Sequence, residues 1–422
     1  MGMSNKKQQI PAIRFRDCSD AWEQRKLKEV ANHRGGTAIE KYFSKNGKYK
    51  VISIGSYGIN SKYIDQGIRA VSNDITDVRV VRKGELTMVL NDKTSNGTII
   101  GRSLLIDTDN EYVINQRTEI LSPKENFDSS FAYITLNGPF REKVRKIVQG
   151  GTQIYVNYPV VENLKLELPD LEEQKKIGTF FKYLDDTIDL HQRQLNDYKQ
   201  LKKSMLQNMF PQEGETIPKV RFDGFTEEWK QCKLKDAVNG DISDGDWIEK
   251  EHIHDEGVYR IIQTGNLGVG TYIDKKDTAK FMNQSSFDTL KANEIYPGDI
   301  LISRLADPAG RTIVLPESSD RMVTAVDVTV IRPNENFDAD FFVAEMNSEK
   351  NLNEVAKQVS GTSHKRISRK NLENVEINVT SLAEQKQIGA FFKTLEDTIV
   401  LHQQKLSNYQ ALKSTFLQKM FM

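Results

Sequence analysis

"LEDTIVLHQQKLSNYQALKSTFLQKMF", from Leu395 to Phe421, restates "LDDTIDLHQRQLNDYKQLKKSMLQNMF", from Leu184 to Phe210, 211 residues further along the chain. Aligned without gaps over Leu171–Phe210 and Leu382–Phe421, the copies share 24 identities in 40 positions. Apolar residues step by three and four. In the first copy they are Ile177, Phe181, Leu184, Ile188, Leu195, Tyr198 and Met205; in the second they are Ile388, Phe392, Leu395, Ile399, Leu406, Tyr409 and Phe416. This is the heptad seam of a coiled coil. At 1.5 Å per residue each copy makes a rod of roughly 60 Å. Asp170 with Glu173, and Ser381 with Glu384 as a capping box, start the two helices.

His191 and His402, then Lys202 and Lys413, interrupt the seam at matching core positions. No carboxylate, cysteine or second histidine stands at ligand spacing on the same face. They read as residues that fix register, at some cost in stability, rather than as metal ligands or catalysts. The rival reading packs each helix only on its own domain. The seam runs about five heptads with no proline or glycine after Gly178 or Gly389, which favours pairing of the two rods.

The duplication spans a whole half of the chain. "IPAIRFRDCSDAWEQRKLKEV" (Ile10–Val30) matches "IPKVRFDGFTEEWKQCKLKDA" (Ile217–Ala237). Between the ends the likeness is faint but ordered. Tyr49–Ile52 faces Tyr259–Ile262, Lys83–Leu86 faces Pro297–Ile300, "ENFD" occurs at Glu125–Asp128 and Glu335–Asp338, and Gly151-Thr152 faces Gly361-Thr362. Two copies are too few for a solenoid and read as a pseudo-twofold, a homodimer written as one chain. The expected division is residues 1–160 and 212–370 as globular domains, with 161–211 and 371–422 as the helices. "PQEGETIP" at 211–218 is the linker, because its prolines and glycine stop the helix. The middles read as mixed strands and turns, with "FDSSFAYITL" and "FDADFFVAEM" as helices. The fold class is therefore α+β: two mixed α/β domains in tandem, separated by an antiparallel pair of long helices.

With 422 residues, 38% hydrophobic and 28% charged, the chain fits two or three soluble domains. No apolar run reaches the roughly 18–20 residues of a membrane span, and "MGMSNKKQQI" offers no secretory signal. Cys18 and Cys232 do not occupy matching places, so neither a disulfide scaffold nor a zinc site is expected, and the cytoplasm is the expected compartment. The net charge of zero hides an asymmetry. Lys plus Arg outnumber Asp plus Glu 18 to 13 over residues 31–160, but trail 16 to 22 over residues 238–370.

Enzyme signatures are missing. "NGKY" at Asn46–Tyr49 lacks the rest of a phosphate-binding loop. No two prolines are adjacent, so no N-P-P-Y-type adenine-methylating site exists, and "DPAG" at Asp307–Gly310 is a near miss. "PDLEEQK" at Pro169–Lys175 imitates a nuclease pattern, but its carboxylates sit on a capped helix start. His252 and His254 lack further ligands, and Gly268 with Gly270 is a lone pair in a turn.

Taken together, the Arg-Phe…Trp opening, the Gly-Thr step, the duplicated heptad helix and its start at Leu171–Ile177 and Leu382–Ile388 resemble a known family. It is the DNA-specificity (S) subunit of Type I restriction-modification systems, and the resemblance covers essentially the whole chain. Val379-Thr380-Ser381 departs from the Pro169-Asp170 step, but the serine cap does the same job. The resemblance implies a non-catalytic subunit with two target-recognition domains, each binding half of a split, asymmetric site in double-stranded DNA. It also implies helices that dock two adenine-N6 methyltransferase subunits, with motor-nuclease subunits joining them. S-adenosylmethionine, ATP and Mg belong to those partners, and no cofactor is expected on this chain.

Polar turns of the middles supply the residues assigned to DNA. In the first domain they are Ser56, Tyr57, Lys62, Lys93, Asn96, Arg102, Gln116, Arg117 and Gln153. In the second they are Gln263, Asn266, Arg304, Arg311, Ser363, His364, Lys365 and Arg366. Lys and Arg suit phosphates, and Asn and Gln suit adenine edges. Two other readings remain: a coiled-coil scaffold joining two protein-binding domains without DNA, and a fused methyltransferase, which the missing motifs disfavour.

Overall fold

The structure, a computed structural model, describes residues 11–239, 241–361 and 365–421. The chain divides into two compact units. The first runs to Leu190 and takes in the chain again from Leu406; the second is His191–Lys405. Each unit thus owns one α/β middle and a piece of both long helices, Leu171–Asn208 and Leu382–Lys419.

In the first unit a four-stranded sheet has the order Ala31–Gly35, Thr118–Pro123, Leu86–Val89, Ser103–Leu105. A second four-stranded sheet centres on Tyr49–Ile52, paired in parallel with Tyr112–Ile114. In the second unit the equivalents are Ile242–Asp244, Val328–Ile331, Ile300–Ser303 and Thr312–Val314, and Tyr259–Ile262 paired in parallel with Arg321–Thr324. The strands expected at "YKVI", "YRII", "ELTMVL" and "DILISR" are present, as are the helices Ser129–Asn137 and Ala339–Met346. One alignment shifts by a residue. The bridge Gln149–Tyr155 corresponds to Ser360–Arg366, so Gly361 matches Gly150 rather than Gly151, and both have a left-handed backbone.

The repeated motifs meet at one junction in each unit. Arg14 donates two hydrogen bonds to the fully buried Glu173 at 2.6 and 2.7 Å, and Arg221 does the same to Glu384 at 2.7 and 2.9 Å. Each neighbouring phenylalanine then meets a helix ring edge-on, Phe15 on Phe180 at 6.4 Å and Phe222 on Phe391 at 6.3 Å. The capping at the helix start is one-sided. Asp170 accepts from the Glu173 N–H at 2.9 Å and Ser381 from the Glu384 N–H at 3.4 Å, while the glutamate side chains serve the arginines. The next residue, Gln174 or Gln385, accepts from the backbone N–H of Asp128 (2.9 Å) or Asp338 (3.1 Å) in "ENFD". Those aspartates cap Ser129–Asn137 and Ala339–Met346.

The short helix packs so close that a Cβ on Gly178 would lie 2.8 Å from Ser130 and 2.9 Å from Asp128. On Gly389 it would lie 2.0 Å from Asp338 and 2.8 Å from the Phe341 nitrogen. Both glycines are there for close approach.

The long helices run antiparallel within each unit. In the first, Phe180 meets Phe416 at 4.9 Å and Lys413 reaches Asp185 at 2.5 Å. In the second, Phe210 stacks on Phe392 at 5.8 Å and Lys202 reaches Glu396 at 2.5 Å. The two lysine pairs are equivalent and half-buried, so the polar seam positions are satisfied across the helix pair. His191 and His402 meet Nδ1 to Nδ1 at 3.1 Å. Burial, then His191 and Lys405, hold the His402 imidazole below the usual histidine range. Of the expected seam, Ile177, Phe181, Leu184, Leu195, Ile388, Phe392, Leu395, Ile399 and Leu406 are buried, and Ile188, Tyr198, Met205, Tyr409 and Phe416 are half-buried.

Each long helix ends in a Met-Phe that completes a core. Phe421 sits 5.9 Å from Trp22 and 5.8 Å from Phe131; Phe210 sits 5.9 Å from Trp229 and 5.7 Å from Phe341. The first helix therefore closes the second unit, and the last helix closes the first. Gly389→Ala is expected to cost about 3 kcal/mol, because its Cβ would overlap the Asp338 carboxylate, which cannot move away without giving up the cap on the Phe341 N–H. Gly178→Ala should cost less, a ranking that urea midpoints of the two variants check.

Candidate nucleic-acid interface

In the first unit, loops from four parts of the sequence join at one end of the sheets. Asn91–Asp92 pairs with Ile154–Tyr155, which brings Lys93 beside Gln153. The Leu90 N–H donates to the Arg117 carbonyl and the Val156 N–H to the Leu90 carbonyl, both at 2.9 Å. Asn115 and Gln116 donate to Glu40 at 3.0 and 2.9 Å, and the Asn115 bond holds that carboxyl below its usual range. Lys93, Asn96, Gln116, Arg117 and Gln153 are all exposed on this connected set.

The other assigned residues sit differently. Ser56 is buried in a tight turn, where its hydroxyl accepts from the Ser53 N–H at 3.1 Å and donates to the Val51 carbonyl at 3.3 Å. Tyr57 is buried and donates to Thr87 at 2.9 Å, and burial pushes its phenol pKa up. Lys62 pairs with Asp189 on the long helix. These three support the loop from within or from its side. Arg102 is half-buried and donates to the Thr98 carbonyl at 2.8 Å and the Ser61 hydroxyl at 2.9 Å.

The second unit has the same frame with different contents. Asn266 stands where Ser56 does and is buried, accepting from the Gln263 N–H at 3.0 Å and donating to the Ile273 carbonyl at 2.9 Å. Gln263 is exposed. Arg304 is buried, 3.3 Å from Asp244 and donating to the Val326 carbonyl, and ties the loop 304–307 to the strand ends behind it. Lys365 and Arg366 are exposed and pair with Asp307 (3.2 Å) and Asp327 (2.7 Å). Ser363 and His364 lie outside the described residues.

Arg311 begins the strand Thr312–Val314 as Arg102 begins Ser103–Leu105, each after a left-handed glycine, Gly310 or Gly101. Asn347 and Asn137 hold the two strands alike, each exchanging two hydrogen bonds with the backbone of Thr312 or Ser103. Arg311 donates only to the Thr264 carbonyl at 3.3 Å, and desolvation lowers its pKa. Among the described residues neither Arg102 nor Arg311 has an ion-pair partner.

One further candidate escaped the sequence reading. Trp247 is 69% exposed beside Asp246, which bridges to Ala325. A free indole on a loop offers a base a stacking face; its only sequence signal was an aromatic residue among acidic turn residues. Glu249, Glu251 and His252 bring three possible ligand atoms within 4.8 Å, but the carboxylates are exposed and the His252 Nδ1 is bonded to Ser286 at 2.9 Å. Nothing about that group beyond proximity points to a metal. No helix of the described residues is long and apolar enough to cross a membrane.

Two α/β units thus share one frame and carry unlike polar loops. The family model for the Type I restriction modification DNA specificity domain matches residues 19–200 and again 226–408. The chain belongs to this family: it is a DNA-recognition subunit of a Type I restriction-modification system and not the catalyst. It is similar to the MjaVIII specificity subunit of Methanocaldococcus jannaschii, at 23% identity over 85% of this chain and 83% of that one. A putative MjaX specificity subunit from the same organism is 22% identical over 94% of this chain and 92% of its own. In fold it is similar to the Type I system S subunit of M. genitalium, with a TM-score of 0.68, 15% identity, and 98% and 99% of the two chains covered.

Because Arg304 is buried and holds both the Val326 carbonyl and Asp244, Arg304→Met should leave that carbonyl without its partner and lower stability by about 2 kcal/mol. The shift in urea midpoint is the readout, and the equivalent change at exposed Arg366 should leave that midpoint within about 0.5 kcal/mol.

Proposed function

We propose that the chain reads a bipartite, asymmetric site in double-stranded DNA, one half-site with each unit. The supporting observation is the repeated frame around Arg102 and Arg311, two half-buried arginines without ion-pair partners among the described residues, set among loops that otherwise differ. An equal frame gives both units the same manner of approach to the duplex, and unlike loops give them different bases to read. The DNA-facing set on this reading is Lys93, Asn96, Arg102, Gln116, Arg117 and Gln153 with Gln263, Arg311, Lys365 and Arg366. Ser56, Tyr57, Asn266 and Arg304 shape the loops behind them.

The paired helices act as a ruler, fixing the unread spacer between half-sites. Their outer faces dock two methyltransferase subunits, and motor-nuclease subunits join that core. S-adenosylmethionine, ATP and Mg stay with those partners, which carry the chemistry. Phosphate grip from the partners lets this chain remain uncharged overall.

A heptad inserted after both His191 and His402 preserves the seam and lengthens the rod by about 10 Å. At ~3.4 Å per base pair the spacer should grow by about three base pairs, with both half-sites unchanged. Mapping methylated adenines in a host carrying the variant and its methyltransferase reads both quantities. An unchanged spacer, or altered half-sites, would contradict the ruler. DNA binding that is indifferent to salt would favour the protein-binding scaffold instead.

A further inference from the structure

The two units differ in one electrostatic feature that the loop assignments do not capture. In the first unit three arginines converge on the loop 97–102. Arg141 is buried and donates to the carbonyls of Ile100 (3.0 Å), Gly97 (2.9 Å) and Thr98 (2.8 Å). Arg102 donates to the same Thr98 carbonyl at 2.8 Å, so two guanidinium groups share one oxygen. The Arg145 guanidinium lies over Gly97, its Nε 3.8 Å from where a Cβ would stand. Desolvation, then Arg102 and Arg145, push the Arg141 pKa down to about 10, and desolvation, with a smaller push from Arg145, lowers that of Arg102.

Little nearby neutralises this charge. Asp92 is buried and occupied, accepting from the Thr94 N–H and hydroxyl and from the Ile99 N–H. Glu142 reaches Arg145 at 3.3 Å, but only as an exposed pair on one helix turn. Arg102 and Arg141 are held by backbone carbonyls, with exposed Arg145 alongside, and arginines clustered in this way without a buried counter-charge suit an anion. In the second unit the equivalent helix packs Val355 against Gly310 as Val144 packs against Gly101. There Leu352 and Ala356 occupy the places of Arg141 and Arg145.

We infer that Arg102 and Arg145, braced by Arg141, form a clamp for a DNA backbone phosphate that the second unit lacks. The clamp rests on the DNA-reading proposal and adds to it: the first half-site is gripped electrostatically more strongly than the second. Arg102 and Arg145 touch the phosphate, and Arg141 is a positioning residue.

The test uses the full chain assembled with its methyltransferase and a split-site duplex, with affinity measured across salt concentration. Arg145 is exposed, so Arg145→Gln should leave folding intact. It should make the slope of log K against log salt shallower by about one and weaken binding to every sequence alike. Arg102→Gln should do the same, and Ala356→Arg should steepen the slope. Wild-type binding with an unchanged slope in both glutamine variants overturns the clamp alone. A wild-type complex whose binding shows no salt dependence overturns the DNA reading beneath it as well.

Discussion

The structure depends on the antiparallel pairing of two long helices of nearly the same sequence. A helix that starts on one α/β unit must end somewhere, and here its terminal Met-Phe ends in the core of the other. Phe210 closes the cluster of Trp229 and Phe341, and Phe421 closes that of Trp22 and Phe131. Antiparallel pairing is what lets two equal helices make that exchange symmetrically. The Lys202–Glu396 and Lys413–Asp185 pairs mark the same register from both units. A slip by one turn would part both pairs, leaving half-buried charges unpaired.

That constraint explains which parts of the chain are repeated. The Arg-Phe step, the Glu-Gln at the helix start, the close-packing glycine and the "ENFD" cap all belong to the junction where helix meets domain. Change one and its partners lose a buried hydrogen bond or gain a clash. The loops at the sheet ends carry no such obligation. They are free to differ, and they do: Arg102, Arg141 and Arg145 correspond to Arg311, Leu352 and Ala356. Recognition by such a molecule is thus separable from its assembly, since the residues that assemble it are not those of the variable loops.

Much of this was legible before any coordinates. The heptad seam, the tandem halves and the strand-turn pattern follow from spacing alone, because side-chain periodicity reports directly on helix and strand geometry. The junction was visible only as unexplained matches; no spacing rule says that Arg14 will find Glu173, 159 residues away. The loop assignments mixed two kinds of residue. Ser56, Asn266 and Arg304 carry the right chemistry for DNA but spend it on neighbouring backbone, which sequence cannot reveal. Arg141 and Arg145 sit on a helix, where a charged residue in sequence reads as an ordinary solvated face. The one-residue shift at Gly150 arose because adjacent glycines look alike until backbone angles separate them.

The central claim is that two unlike readers share one interchangeable frame, and the most direct measurement is to make the readers alike. A chain in which residues 31–150 also replace residues 238–361 keeps both junctions and both helices. Expressed with its methyltransferase, it should methylate a symmetric site: the first half-site followed by its own inverted copy across the original spacer. Methylation that still follows the original asymmetric site, or a folded and assembled chain that modifies no inverted repeat, would contradict it.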